Sequence, residues 1–462
     1  MQISTLFKWA LLFLCLIFLN NSSAQTSSSF TYSIRVDEVD FLAPHGSQSN
    51  KLAIYRDYYP HPAITDIAWK YPNTQNPVAF VSGKAPKVYA KFDLAGCPQE
   101  IWAKGDGPDT FDPVVQKLGP DGSYAATPLS APFPANKVDF YEPFDIVWYI
   151  SNSPSGPWIA AGKSSNPLYI TYAATPFSPQ ILHSVIYYGC KNAKGLTNAN
   201  SIVDNIYNGT FAGRTVPRKD NPTKSAMSYW APDEDPVQYY NGEYFYTHHL
   251  LKWENGRCGS WAYFFYDMIL FQGILGAEVS EVLYLPDPTN HVDQFKFDRN
   301  KFFGAAASDV ETRIAGMPVP VDINSLPRIF FVKDFDLNSN KFYKWNREWM
   351  TIPGIGTNPV TLPNGNVLNF APKPGDSAQG NNDPMSTFQN HGIVKYNGKY
   401  YDPSYGTSIT GSKNEWETNA LIGFGSAGTL VYKYTYLGIP VETYIMWLSE
   451  PNNSSQQAKI NP

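Results

Sequence analysis

The stretch Cys258-Gly259-Ser260-Trp261-Ala262-Tyr263-Phe264-Phe265-Tyr266-Asp267-Met268-Ile269-Leu270-Phe271-Gln272-Gly273-Ile274 carries the strongest helical pattern in the chain. Trp261, Phe264, Phe265, Met268 and Ile269 recur at the spacing of one buried helix face, while Tyr263 and Asp267 partly break the opposite one. Asn255-Gly256 stands just before it, as a helix start requires. A cysteine therefore opens a buried helix. The free N–H groups and partial positive charge of a helix N-terminus favour thiolate over thiol and can hold an oxyanion.

Downstream, Asn397-Gly398 is a two-residue hairpin turn between His391-Gly392-Ile393-Val394-Lys395-Tyr396 and Lys399-Tyr400-Tyr401-Asp402. The turn predicts a register in which Tyr396 faces Lys399, Lys395 faces Tyr400, Val394 faces Tyr401 and Ile393 faces Asp402. His391 and Ile393 share a face. Asp402 then lies on the face of His391, one diagonal step away, where a carboxylate reaches an imidazole N–H. Cys258, His391 and Asp402 are thus a candidate nucleophile, base and orienter.

Outward from these segments the texture divides the chain. Residues 30–175 read as short β-rich runs between turns. Lys87–Phe92, Phe144–Ile150 and Leu168–Tyr172 are typical, and the pattern predicts a β-sandwich, immunoglobulin-like in the loose sense. After Pro176-Phe177-Ser178-Pro179, residues 197–207 predict a short amphipathic helix ended by Asn208-Gly209. Residues 214–236 read as loop and Val279–Leu285 as a strand. The fold class expected is α+β.

At the N-terminus, Lys8 precedes the apolar run Trp9–Leu19, and Ser22 and Ala24 precede Gln25. Residues 1–24 read as a secretory signal peptide without a lipobox, so the expected location is secreted, periplasmic or cell-surface. The run is short for a membrane span, and none is expected elsewhere. Three cysteines remain beyond it: Cys97, Cys190 and Cys258. An odd count leaves one thiol unpaired or pairs it between molecules, while Cys97 and Cys190 are candidates for a bridge.

The 462 residues are 43% hydrophobic, 16% charged and 15% aromatic, with a formal net charge of −5. That composition excludes a disordered chain, and its charge argues against a nucleic-acid partner. No cofactor or metal is expected. Asp334-Phe335-Asp336-Leu337-Asn338-Ser339-Asn340 alternates oxygen ligands but lacks the glycine of a calcium loop and has Trp345 at the position of its bidentate glutamate. His248-His249 would point to opposite faces of a strand and lack zinc spacing.

Gly256-Arg257-Cys258, the following Ala262 and aromatic helix, and Gly276-Ala277-Glu278-Val279 resemble the catalytic-cysteine segment of transglutaminase-like proteins. His391-Gly392-Ile393-Val394 and Tyr401-Asp402-Pro403-Ser404 resemble the histidine strand and aspartate–proline of that superfamily, in the same order. The resemblance implies a papain-related α+β domain over residues 176–462, with Cys258 as nucleophile, His391 as base and Asp402 as orienter. The interval from Cys258 to His391 exceeds that of compact members, so 287–387 reads as an insertion. Trp230 and Gln238 are candidates for the family's upstream oxyanion donor. The implied activity is acyl transfer on protein or peptide amides, by glutamine transamidation, deamidation or amide hydrolysis. The alternative is a non-catalytic exported binding or adhesion protein on the same scaffold.

Overall fold

The computed structural model describes residues 34–42, 51–64, 68–72, 74–94, 100–108, 111–126, 133–175, 180–221, 225–229, 246–285, 310–313, 328–332, 360–361, 367–368, 377–382, 387–388, 390–412, 415–416, 421–436, 439–448 and 456–460. It is a mixed α+β protein with several sheets. The proposed signal peptide, Cys97, Trp230, Gln238 and the Asp334–Asn340 segment lie outside the described residues.

In the first third of the chain, alternation makes two sheets. On Lys87–Asp93, Val88, Ala90 and Phe92 are buried while their neighbours face outward, the period-two pattern of a half-buried strand. This strand lies between Ser123–Ala126 and Arg35–Leu42 in a five-stranded sheet that continues to Trp69–Lys70 and Thr74–Gln75. A six-stranded sheet is built around the long antiparallel pair Asp139–Ser151 and Ile159–Thr171. Phe41, Val88 and Phe92 of the first sheet share a core with Phe80, Phe144, Trp148 and Ile170 of the second. The indole N–H of Trp148 donates to Ser164 Oγ at 2.9 Å, so the large buried ring leaves no orphan donor.

Among the described residues four helices follow: α1 (His183–Lys191), α2 (Ala199–Thr210), α3 (Thr247–Trp253) and α4 (Cys258–Phe271). Asn198 caps α2 by accepting from Ser201 N–H at 3.2 Å. The expected stop at Asn208-Gly209 is corrected: α2 runs on to Thr210. Gly209 serves close approach instead, because a Cβ there would sit 2.6 Å from Asn192 Cγ. His248 and His249 lie on helix α3.

Helix α4 is buried through Trp261, Phe264, Phe265, Met268 and Ile269, the face anticipated from its periodicity. It shares a core with a five-stranded sheet ordered Thr407–Thr410, Lys399–Asp402, Asn390–Tyr396, Glu278–Leu285 and Gln456–Ile460. The hairpin register is as read: Val394 pairs with Tyr401, Lys395 with Tyr400 and Tyr396 with Lys399. Asn397 and Gly398 both have positive φ (45° and 73°), as a type I′ turn demands. Within 287–387, Val310–Arg313 and Arg328–Val332 pair with Leu421–Tyr436, so this stretch is tied to the C-terminal strands through a separate sheet.

The two parts of the chain are joined through paired backbone and buried charge. Ile54–Tyr55 pairs in parallel with Ile181–Leu182. Beyond it, Asp57 is fully buried and accepts from the Ser184 backbone N–H and hydroxyl, each at 2.8 Å. A carboxylate from the N-terminal part thereby occupies the uncapped start of α1, where negative charge is favoured.

Candidate active site

Helix α4 and the adjacent hairpin bring Cys258, His391 and Asp402 together. Cys258 is the first residue of α4. Its N-cap, Arg257, has extended backbone and makes no side-chain cap, and the first turn holds no acidic residue. Partial positive charge at this helix start is thus not offset by a carboxylate of its own first turn.

His391 lies on the strand packed against this helix end. Its Nε2 is 2.8 Å from Asp402 Oδ2. Cys258 lies near enough to the ring to act on it electrostatically. Burial by itself pushes an imidazole down, but the charge and hydrogen bond of Asp402, joined by Cys258, outweigh it and carry His391 up to about 10. The site favours an imidazolium, the partner a thiolate needs.

Asp402 is fixed as firmly as the ring it orients. Its Oδ1 accepts the backbone N–H groups of Ser404 (3.1 Å) and Tyr405 (3.3 Å), leaving Oδ2 for the imidazole. The Tyr207 hydroxyl, from α2, donates to the Asp402 carbonyl at 2.8 Å. Gln379 holds the next turn, donating from its backbone to Ser404 O at 3.0 Å and from Nε2 to Pro403 O at 2.8 Å.

The contact between helix and strand depends on Gly392. A Cβ there would lie 3.1 Å from Gly259 N and 3.2 Å from both the carbonyl carbon and oxygen of Cys258. The missing side chain lets the histidine strand lie directly on the first turn of the cysteine helix.

Tyr229, Tyr405 and Trp416 surround these groups and were not singled out from the sequence. Ser228–Tyr229 pairs in parallel with Asn255–Gly256, which places Tyr229 opposite Gly256, two residues before Cys258. The rings of Tyr229 and Tyr405 pack with centroids 5.5 Å apart, and burial first, then Tyr405 and Cys258, push Tyr229 well above the ordinary tyrosine range. The ring of Tyr405 is 5.7 Å from that of His391. Trp416 lies parallel to the imidazole, with centroids 6.3 Å apart and planes 11° apart. The available sequence signal for Trp416 was the capping-box spacing Ser412-x-x-Glu415 just before it. Tyr229 had none, because its pairing joins segments that local pattern does not connect.

The centre is enclosed. Cys258 retains 7% exposure, Asp402 3% and His391 1%. Among the described residues no three His, Cys, Asp or Glu side chains converge as metal ligands. Cys190 is free and buried rather than bridged. Its Sγ donates to Ile170 O at 3.5 Å, and burial pushes it up to about 12, which leaves it an inert thiol. Among the described residues no helix is long and apolar enough to cross a membrane.

Comparison with known proteins adds no relative: no family model matches the chain, and neither a curated protein nor a solved structure matches it.

Proposed function

We propose that this chain is an exported, transglutaminase-like acyl transferase or amide hydrolase acting through Cys258, His391 and Asp402, with an N-terminal β-sandwich before the catalytic domain. The observation that carries the reading is a buried imidazole held by a carboxylate and under the influence of the thiol that opens a helix without a side-chain cap. In the proposed reaction the Cys258 sulfur attacks an amide carbonyl. The C–N bond breaks, and the imidazolium of His391 gives its proton to the departing amine. Asp402 keeps the ring in register and stabilises its charge. A primary amine or water then attacks the thioester, with His391 as base. The substrate is a protein or peptide amide, and no cofactor enters the scheme.

The test measures ammonia release from a glutamine-bearing protein, with and without added primary amine, alongside peptide cleavage. Cys258→Ala should abolish whichever activity the parent shows, His391→Ala should be nearly as severe, and Asp402→Asn should lose less, mainly in kcat. Full activity in Cys258→Ala rules the mechanism out. The enclosure of all three groups favours a second reading, a non-catalytic exported scaffold. Rapid alkylation of Cys258 by iodoacetamide near pH 6 rejects that reading, and inertness of the thiol supports it.

A further inference from the structure

A row of exposed rings crosses the junction between the β-rich part and helix α3. Tyr59 is 65% exposed, Tyr246 48% and Trp253 41%, although rings of this size are usually well covered. The row is continuous. Centroids lie 6.2 Å apart from Tyr59 to His61, 6.3 Å from His61 to His248, 5.7 Å from His248 to Tyr246 with planes 14° apart, and 5.3 Å from Tyr246 to Tyr263. At the other end the Lys252 ammonium lies over two rings, 4.2 Å from Tyr59 and 4.7 Å from Trp253.

The row is held in shape by its own backbone. The Tyr58–Pro62 loop is closed by the Arg56 N–H on Pro62 O at 2.9 Å and the His61 N–H on Tyr58 O at 2.8 Å, and His61 Nδ1 is 3.1 Å from Arg56 O. Thr247, between Tyr246 and His248, ties α3 to Asp267 of α4 at 2.5 Å. Side chains fixed in advance lose little freedom on binding. The carboxylates flanking the row are engaged elsewhere, Asp267 by Thr247 and Glu254 by Arg218 at 2.8 Å. The charge the row presents is therefore that of Lys252, with two imidazoles beside it, on a chain whose net charge is −5.

Tyrosine, tryptophan and histidine each combine a flat apolar face with a polar edge, and the exposed large apolar side chains on this row are tyrosine and tryptophan alone. A lipid tail, or the apolar core of a protein interface, would leave those edges without partners. A single ammonium is too little for a phosphate backbone, which is held by many Lys and Arg contacts. The matching ligand has apolar C–H faces, hydroxyls at its rim and a sparse negative charge. We propose that this row binds an acidic polysaccharide, with pyranose faces on the rings, sugar hydroxyls on the ring edges and a uronate carboxylate on Lys252. This goes beyond the acyl-transfer reading and does not depend on it. Trp253 and Cys258 are five positions apart, at most about 18 Å of chain, so bound polymer lies near the start of the cysteine helix.

The test is affinity electrophoresis of the full chain in native gels cast with polygalacturonate, with alginate, with dextran and with no polymer. A uronate polymer should retard the parent protein, and neutral dextran should retard it less. Tyr59→Ala and Trp253→Ala each remove one exposed ring and should weaken binding by at least about tenfold, the weight of an aromatic anchor. Lys252→Gln should lose affinity for the uronate polymer and keep its affinity for dextran. Cys258→Ala should bind as the parent does, whatever its effect on acyl transfer. Denaturant midpoints equal to that of the parent show that the ring variants are folded; if Trp253→Ala does not fold, Tyr59→Ala, on the exposed loop, carries the test. Absence of retardation by either uronate polymer overturns the proposal, as does full retardation of the ring variants or equal retardation by dextran. Ring-dependent binding to phosphatidylcholine–phosphatidylserine vesicles, or ring-dependent self-association, in place of polymer binding overturns it too.

Discussion

At the scale of single residues, Gly392 and His391 set the chemistry of the centre. The contacts a Cβ at position 392 would meet are backbone atoms of Cys258 and Gly259, which cannot swing aside as a flexible side chain would. Gly392→Ala should leave the chain folded but part the thiol from the imidazole by a few tenths of an ångström. Iodoacetamide alkylation of Cys258 near pH 6 should then slow by on the order of tenfold, since reactive geometry is steep in distance. His391 has a signature in stability. Its folded value of about 10 stands above the ordinary 6.5. The stabilisation from its bound proton is complete below pH 6.5 and is lost as pH rises through 10. Denaturant midpoints should decline across that window in the parent, and Asp402→Asn, which removes the charge holding the proton, should flatten the decline.

At the scale of elements, α4 is held by more than its apolar face. Thr247, the first residue of α3, donates to Asp267 Oδ2 at 2.5 Å, pinning α3 against α4. Burial pushes Asp267 up to about 6, against the lowering effect of that hydrogen bond. The fold therefore favours its neutral form. This preference contributes fully below pH 3.8 and is lost as pH climbs through 6. Asp267→Asn keeps an acceptor for Thr247 and cannot ionise. It should raise the denaturant midpoint at pH 8, and its advantage over the parent should shrink toward pH 4. The aromatic run of α4 gave away the helix because its period survives any reading frame. Helix α1 was not legible in the same way: Ser184-Val185-Ile186-Tyr187-Tyr188 is rich in strand-favouring residues, and its packing against α4, Tyr188 on Phe264 among the contacts, overrides that preference.

At the scale of the molecule, the junction between the β-rich part and the helical part is a buried polar network. Asp57 holds Ser184 and also accepts from Asp220 N–H at 3.2 Å. Asp220 in turn is 2.7 Å from His183 Nδ1 and 3.3 Å from Arg56. Burial first, then the neighbouring Asp220 charge, raise Asp57, whereas His183 and Arg56 help hold Asp220 below the usual carboxylate range despite its burial. Asp57→Ala strips the start of α1 of its acceptor inside the junction and should cost about 1–3 kcal/mol in urea unfolding. Asp57→Asn, which still accepts, should cost less. Equal stability of parent and alanine variant would mean that water or relaxed backbone replaces the carboxylate.

What the sequence by itself determined is whatever depends on short-range periodicity and turn chemistry. The spacing of Trp261, Phe264, Phe265 and Met268 sufficed for α4, and a cysteine at its first position followed from the same count. Asn397-Gly398 needed only the φ preferences of its two residues to set the hairpin register, and with it the side of the sheet shared by His391 and Asp402. Only the tertiary structure decided how the two halves meet. Gly392 and Gly209 read as ordinary glycines until the backbones lying on them are seen. Tyr229 reaches Gly256 through a parallel pairing, and Asp57 reaches Ser184 across 127 positions of chain. Trp416 arrives over the imidazole from beyond the hairpin altogether. Such contacts arise when whole elements pack, and their partners are distant in sequence, so local pattern carries no trace of them.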